Sequence, residues 1–237
     1  MILRHLRLPS PTSYTHASEL QDKIVRKFLN YKADPSACTP LPDPLIITAE
    51  FQPVYTCGRR EVGNVTADQK AHLTLEMPWG KADFHQALRG GQTTFHGPGQ
   101  LTAYPILDLK RHGLNARCYV KTLESAVIAT CAHYGIETMR TEHPGVWTDS
   151  ERKICAVGVH LRRAVSSHGI GLNVSTDLRW FRRIVACGLE GKGTTSLFDR
   201  GVDGVSVSDV ATVFVERMSE QLDGIDGFAT IDEAEVD

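Results

Sequence analysis

Apolar residues recur at helical spacing in three stretches of the chain. Residues 14–32 carry them on one face and predict an amphipathic helix. Residues 115–134 repeat the pattern, and Gly135 supplies a suitable C-terminal stop. A third helix is predicted over 207–222, because Ser206 and the aspartate that follows it resemble a capping box.

Shorter apolar or alternating segments predict strands. They are ILRHLRL (2–8), LIITAEF (45–51), LTAYPILDL (101–109), IETMR (136–140), GVWT (145–148), KICAVGVHL (153–161) and GIGLNV (169–174). The last two are close enough to pair antiparallel. The proline-rich residues 34–44 predict a loop, and residues 58–87 are mostly polar and predicted to be irregular. Strands and helices alternate without regular βαβ spacing, which indicates an α+β fold.

The length of 237 residues, 41% of them hydrophobic, suits one domain with a full core. We expect that domain to span residues 1–222. The acidic residues 223–237 are predicted to form a flexible tail.

Composition excludes several classes of protein. The formal net charge of −2 argues against a general nucleic-acid binder, and no apolar run is long enough to span a membrane. The six cysteines have no short paired spacings, so neither a disulfide framework nor a zinc site is expected. Residues 1–18 are basic and acid-free, as in a mitochondrial presequence, but they also fit a strand and a helix start, and we favour that structural interpretation.

Three polar, glycine-rich segments favour one shared pocket. They are RGGQTTFHGPGQ (89–100), ERKICAVGVHLRR (151–163) with SSHGIGLN (166–173), and VACGLEGKGTTSL (185–197). Glycine loses more backbone freedom on folding than other residues, so its accumulation usually serves close approach of the backbone to a ligand.

Two cysteines are candidate nucleophiles. Cys155 lies two residues after Lys153 on a predicted strand, and Cys187 lies in a segment rich in glycine and hydroxyl groups. A cysteine reacts as the thiolate, and a nearby ammonium group favours that form. Periodicity does not choose between the two cysteines.

The segment GLEGKGTTS (188–196) is similar to a phosphate-binding loop, but its lysine is followed by Gly193 instead of serine or threonine, and its first glycine is misplaced. Without a nucleotide motif, a transferase would need a donor that arrives already activated.

The same glycine-rich blocks, in the same order, resemble the octanoyltransferases of lipoate synthesis, the lipoate-protein ligase B family. The resemblance runs from the first strand to about residue 222. It implies an α+β catalytic domain with a mixed, largely antiparallel sheet and packed helices, similar to biotin and lipoate ligases. It also implies transfer of an octanoyl group from octanoyl-acyl carrier protein to a lysine of lipoyl domains, through an acyl-cysteine thioester. This is the first step of endogenous protein lipoylation.

The resemblance assigns the site as well. Cys187 takes the position of the nucleophile, and Lys153 the position of the group that lowers its pKa and moves protons, while Cys155 falls in a structural position. The implied acyl pocket consists of Arg89, Gly90, Gly91, Gln92, Thr93, Thr94, Phe95, His96, Ala156, Val157, Gly158, Gly169, Ile170 and Gly171. Family members often have proline and arginine where this chain has Ala186 and His160, and the second departure puts a carrier contact there in doubt.

The implied acceptors are the lipoyl domains of 2-oxoacid dehydrogenase complexes and the glycine cleavage H protein. No metal, cofactor, nucleic acid or membrane is expected, and the expected state is a monomer. The expected location is mitochondrial, or cytoplasmic if the chain is bacterial. The alternatives are an ATP-dependent lipoate or biotin ligase of the same fold, a non-catalytic acyl-carrier-binding module and, more weakly, a cysteine amidase.

Overall fold

A computed structural model describes residues 1–36, 40–184 and 191–236. Four α-helices lie within these ranges: α1 (Tyr14–Ala33), α2 (Ala67–Thr74), α3 (Ala116–His133) and α4 (Val207–Glu220). The three predicted helices correspond to α1, α3 and α4. Each begins at a residue whose side chain accepts from a backbone N–H of the first turn, namely Ser13, Asn115 and Ser206.

The strands of the described ranges are β1 (Ile2–Arg7), β2 (Leu45–Ala49), β3 (Val54–Cys57), β4 (Asp83–Gln86), β5 (Thr94–His96), β6 (Gln100–Ile106), β7 (Val146–Trp147), β8 (Arg152–Arg162), β9 (Val165–Asn173), β10 (Gly193–Thr194) and β11 (Gly227–Ile231). Within the described part, eight of them form one mixed sheet in the order β10-β8-β9-β6-β2-β1-β11, with β7 also paired to β8. The predicted hairpin of β8 and β9 is present, with Cys155 opposite Leu172 and Arg162 opposite Val165. The fold class is therefore confirmed as α+β.

The large sheet separates two cores. Helices α3 and α4 pack against one face, where the core includes Leu123, Phe214 and Ile170. Helix α1 packs against the opposite face through residues such as Ile24 and Phe28. A smaller sheet, in the order β4-β3-β5, leads into the glycine-rich loops. Since both faces are covered, every residue of β9 is buried.

Three predictions need correction. Residues 223–237 do not behave as a frayed tail over 227–236, because β11 pairs in parallel with β1 and both Ile231 and Val236 are buried. Residues 136–140 form no strand beyond a single bridge from Met139 to Trp147. The polar stretch 58–87 contains α2 and β4, and α2 begins at a capping box formed by Thr66 and Gln69.

Candidate active site

The segment Arg89–Gly91 is folded around its own arginine. The buried Arg89 guanidinium donates to the Thr56 carbonyl at 2.6 Å, to the Gln92 carbonyl at 2.9 Å and to the Gly90 carbonyl at 3.0 Å. The Gly90 N–H donates to the Val159 carbonyl at 3.0 Å, which lays the loop across β8. The side chain therefore serves first to hold the shape of the loop.

The next turn, at the end of β5, is held on two sides. The Gly99 N–H donates to Glu50 Oε1 at 2.7 Å, and the Gly99 carbonyl accepts from the N–H groups of Val174 and Ser175. Gly99 has φ +77°, and a Cβ there would lie 2.6 Å from the Ser175 carbonyl carbon. Only glycine fits this left-handed, crowded position, which brings His96 over the large sheet.

A narrow slot of about 40 Å³ lies between these loops and strands β8 and β9. Among the predicted pocket residues, those lining it are Arg89, Gly90, Gly91, Gln92, Thr94, His96, Ala156, Val157, Gly158, Gly169, Ile170 and Gly171. Ligand pockets usually measure about 300–1,000 Å³, so a bound chain requires the walls to move apart.

Two predicted pocket residues lie elsewhere. Thr93 donates through its N–H and its hydroxyl to Glu61 and lines a neighbouring groove of about 830 Å³. Phe95 stacks on Trp180, with ring centroids 5.0 Å apart, in a separate aromatic cluster. Alternation along β5 explains both, because Thr94 and His96 face the slot and their neighbours point away.

Sequence reasoning missed Tyr104 and His168, which also line the slot. Tyr104 shares alternate positions of β6 with Gln100 and Thr102, so strand periodicity could have placed it on this face. His168 gives no such signal, because its backbone is left-handed, with φ +55°.

Side-chain amides fix the tautomer of His96. Gln100 Nε2 donates to the Phe95 carbonyl and to Asn173 Oδ1, so Gln100 Oε1 is the acceptor that faces His96 Nδ1 at 2.7 Å. Nδ1 therefore carries the proton and Nε2 is left as an acceptor. Asn173 in turn donates to the Thr195 carbonyl at 2.9 Å, and the Thr195 N–H donates to the Lys153 carbonyl. We call this series of hydrogen bonds, from His96 through Gln100 and Asn173 to Thr195, the relay. It joins the slot to the strand that carries Lys153.

The two slot histidines are held neutral. Burial, reinforced by the positive charge of Arg89, lowers the pKa of His96 to about 4 and that of His168 to about 3. Burial is the larger cause at both positions. Near pH 7, neither imidazole adds charge to the slot, and His96 is too weak a base to hold a proton.

Lys153 is buried, with 6% of its surface exposed, and lies outside the residues that line the slot. Its Nζ is 4.7 Å from the centroid of the Trp147 ring, and its methylenes lie against Gly145. Glu124 accepts from the Gly145 N–H and from Arg140, which anchors this support. Among the described residues, Lys153 forms no salt bridge, and its ammonium faces an aromatic ring.

Of the two candidate cysteines, only Cys155 lies within the described residues. It is fully buried in the core, and its thiol lies 3.4 Å from the Ala156 carbonyl. Burial raises the pKa of Cys155 well above its usual value, which outweighs the opposite effect of Lys153. Such a thiol is inert. Cys187 and Ala186 lie outside the described residues, whereas Gly193 downstream pairs with Arg152, next to Lys153.

His160 follows Gly158 on β8 and is half-buried near Arg59 and Arg162. Burial, with the charges of these two arginines, lowers its pKa. The positive charge around this part of β8 therefore comes from the arginines and not from the histidine.

In the described ranges, no set of three or more histidine, cysteine or acidic side chains is arranged to bind a metal ion. None of the helices described is both long enough and apolar enough to cross a bilayer.

The fold defines the class of protein. A bipartite lipoate protein ligase from Thermoplasma acidophilum superposes with a TM-score of 0.72 over 99% of this chain and 89% of that chain, at 19% identity. The model of the lipoyl protein ligase A/B catalytic domain matches residues 13–219.

Closer relatives narrow the class. The chain is 52% identical to a "Probable octanoyltransferase" of Schizosaccharomyces pombe, over 80% of this chain and 82% of the relative. It is 39% identical to the human mitochondrial octanoyl-[acyl-carrier-protein]:protein N-octanoyltransferase, over 87% and 88% of the two chains. The chain belongs to the lipoyl protein ligase A/B family and, within it, to the octanoyltransferases.

Two glycines of the slot should respond differently to alanine. At Gly169 a Cβ would lie 2.3 Å from the Ala103 carbonyl oxygen, so the strand pairing must shift. At Gly158 it would lie 3.2 Å from Arg89 Cδ and 3.3 Å from the Gly90 carbonyl oxygen, so a shift of a few tenths of an ångström in the loop relieves the contact. We expect Gly169→Ala to lower the free energy of unfolding by about 1–3 kcal/mol or more. Gly158→Ala should change it by less than about 1 kcal/mol. Urea denaturation measures both, and equal losses would contradict this division.

The pH dependence of stability should show the buried histidines. The folded pKa of His96, about 4, lies below the unfolded value of 6.5, so the unfolded state binds more protons between these pH values. The contribution of His96 to the free energy of unfolding is therefore fully present above pH 6.5. It is lost as the pH drops towards 4, and the loss is on the order of 3 kcal/mol. His96→Asn keeps a donor towards Gln100 and should flatten the curve. The control is His16→Asn, at an exposed position, and identical slopes for both variants would refute the assignment.

Proposed function

We propose that this protein transfers an octanoyl group from octanoyl-acyl carrier protein to a specific lysine of lipoyl domains. The observation that carries the proposal is the similarity to relatives named octanoyltransferases over more than four fifths of both chains. The glycine-lined slot adds physical support, because glycine on both of its walls lets a ligand approach the backbone closely once the walls move apart. Relatives from human and from yeast are named as mitochondrial, and the protein is assigned to the mitochondrion.

In the first step, the Cys187 thiolate attacks the carbonyl carbon of the donor thioester. A bond forms between the Cys187 sulfur and the octanoyl carbon, and the bond from that carbon to the carrier's sulfur breaks. The carrier thiolate leaves with the proton of the Lys153 ammonium. One thioester replaces another, so the step needs no ATP.

In the second step, a neutral lysine amine of the acceptor attacks the acyl-cysteine. The amide bond forms, the bond from carbon to the Cys187 sulfur breaks, and neutral Lys153 takes the proton of the amine. The ion pair of thiolate and ammonium is restored. The acceptors are lipoyl domains of 2-oxoacid dehydrogenase complexes and the glycine cleavage H protein.

The described surroundings of Lys153 support this role. Its ammonium is buried beside Trp147, and the segment that follows Cys187 returns to pair with β8 at Arg152 and Lys153. Cys187 lies six residues before Gly193, so a short covalent tether connects it to this pairing. The competing thiol of Cys155 is buried and its pKa is raised.

Mass spectrometry of the intact protein tests the nucleophile. After incubation with octanoyl-acyl carrier protein, wild type should gain one octanoyl group that hydroxylamine removes, because a thioester is labile to this reagent. Cys187→Ser should gain none. Cys118→Ser, at an exposed cysteine of α3, is the control and should label as wild type does.

An adduct that persists in Cys187→Ser, or that maps to Cys155, would overturn the site. Formation of an octanoyl adenylate from ATP and octanoate, without any carrier, would instead identify an ATP-dependent ligase.

Lys153→Ala tests the electrostatic partner. Loss of the ammonium should leave less of Cys187 as thiolate, and its alkylation by iodoacetamide near pH 7 should slow about tenfold, which corresponds to a rise of one pKa unit. Lys192→Ala, closer to Cys187 in sequence, is the matched control. Alkylation at equal rates across the whole pH range would remove Lys153 from this role.

A further inference from the structure

We propose that His168 and Tyr104 form the end wall of the slot and limit the length of the acyl chain that it accepts. The inference rests on the proposed octanoyl transfer. Both residues line the slot, and both are nearly fully buried, with 5% and 4% of their surfaces exposed. The two rings meet edge to face, with centroids 5.4 Å apart.

The other sheet-side walls are small. Along β8 and β9 the slot passes Ala156 opposite Gly171 and Gly158 opposite Gly169, while the intervening pair, Val157 and Ile170, packs into the core with α3 and α4. The next pair along the ladder is Val159 opposite His168, and there an imidazole replaces glycine. The row of small residues along the slot therefore ends at the pair of Val159 and His168, where the rings of His168 and Tyr104 lie.

The spacing suits an eight-carbon chain. From the rung of Ala156 and Gly171 to the rung of His168 is three residues, or about 10 Å along the strand. An extended eight-carbon chain is about 8 Å long, by the advance per bond of an extended backbone. The reacting end lies towards Lys153, because β8 runs from Lys153 to Ala156 and on to the wall.

The wall is rigid, whereas the opposite side is a loop. The His168 N–H donates to Gln21 Oε1 of α1 at 2.6 Å, and this bond holds the left-handed backbone. Tyr104 packs on Phe51, and Phe51 packs on Tyr14 of α1. When a chain enters, the slot therefore opens at the loop of Gly90 and Gly91 and not at the wall.

The polar atoms of the wall also penalise longer chains. In the described part of the chain, neither the Tyr104 hydroxyl nor the His168 ring nitrogens have a hydrogen-bond partner. Further methylenes would have to cover these groups without replacing their contacts with water. The imidazole is neutral, so the wall acts through its bulk and polarity and not through charge.

The test compares transfer rates from hexanoyl-, octanoyl-, decanoyl- and dodecanoyl-acyl carrier protein to a lipoyl domain. The transfer rate of the wild-type protein should fall sharply for acyl chains longer than octanoyl. His168→Asn shortens the side chain and keeps a residue that tolerates left-handed backbone. Tyr104→Leu removes the second ring of the end wall. Each should raise the ratio of dodecanoyl to octanoyl transfer about tenfold or more, because a pocket discriminates a single methylene by about 10–200-fold.

Two further variants separate an effect on the end wall from an effect on folding. His112→Asn changes a buried histidine outside the slot and should keep the preference for octanoyl. Tyr104→Phe keeps the ring and removes only the hydroxyl, so it should raise the ratio of dodecanoyl to octanoyl transfer less than Tyr104→Leu does. Folded variants with an unchanged profile, or wild type that accepts dodecanoyl as readily as octanoyl, would overturn the end wall alone. Wild type that transfers no acyl group from any donor would refute the octanoyltransferase function and this inference with it.

Discussion

The site depends on one close approach of backbone to backbone. The loop of Arg89 lies directly on β8, with the Gly90 N–H bonded to the Val159 carbonyl, and Gly158 beneath it has no side chain to hold the two apart. Arg89 makes this possible by donating to carbonyls of the loop and of Thr56. A charge buried for this purpose also pushes the neighbouring histidines towards neutrality. The geometry of the slot and its electrostatics thus have the same origin.

The slot and the lysine are mechanically connected, although they do not touch. The amides of Gln100 and Asn173 lead from His96 to the carbonyl of Thr195, and Thr195 is bonded to Lys153. Each amide has only one orientation that satisfies its neighbours, so every hydrogen bond of the relay is donated in the same direction, from Gln100 to Asn173 and from Asn173 to Thr195. The relay therefore ties the position of His96 to the strand that carries the proposed proton donor. This connection accounts for polar side chains in a part of the core that is otherwise apolar.

Much of this arrangement was predictable from sequence. Helix periodicity located α3 and its stop at Gly135. Two of the three glycine-rich segments meet at the slot, whereas none of the described residues of the third, 191–197, lines it. What failed has physical reasons. The partner of β11 is β1, at the far end of the chain, so no local pattern marks the acidic terminus as a strand. The wall depends on the left-handed backbone of His168, which is imposed by Gln21 on a distant helix. Secondary-structure propensity depends on residues that are close in sequence, whereas β11 and the backbone of His168 are fixed by contacts with residues far away in sequence.

The pairing of β11 with β1 has a consequence for folding. Ile2 lies opposite Gly227 and Leu6 opposite Ile231, so this ladder joins the two most distant strands of the described chain. Contacts of such long sequence separation close large loops and slow the search for the native state. During synthesis, β1 can pair with β2 early, but its other edge stays unpaired until residues 227–231 have emerged. Until β11 arrives, this edge of β1 exposes unpaired backbone N–H and C=O groups to pairing with a wrong strand.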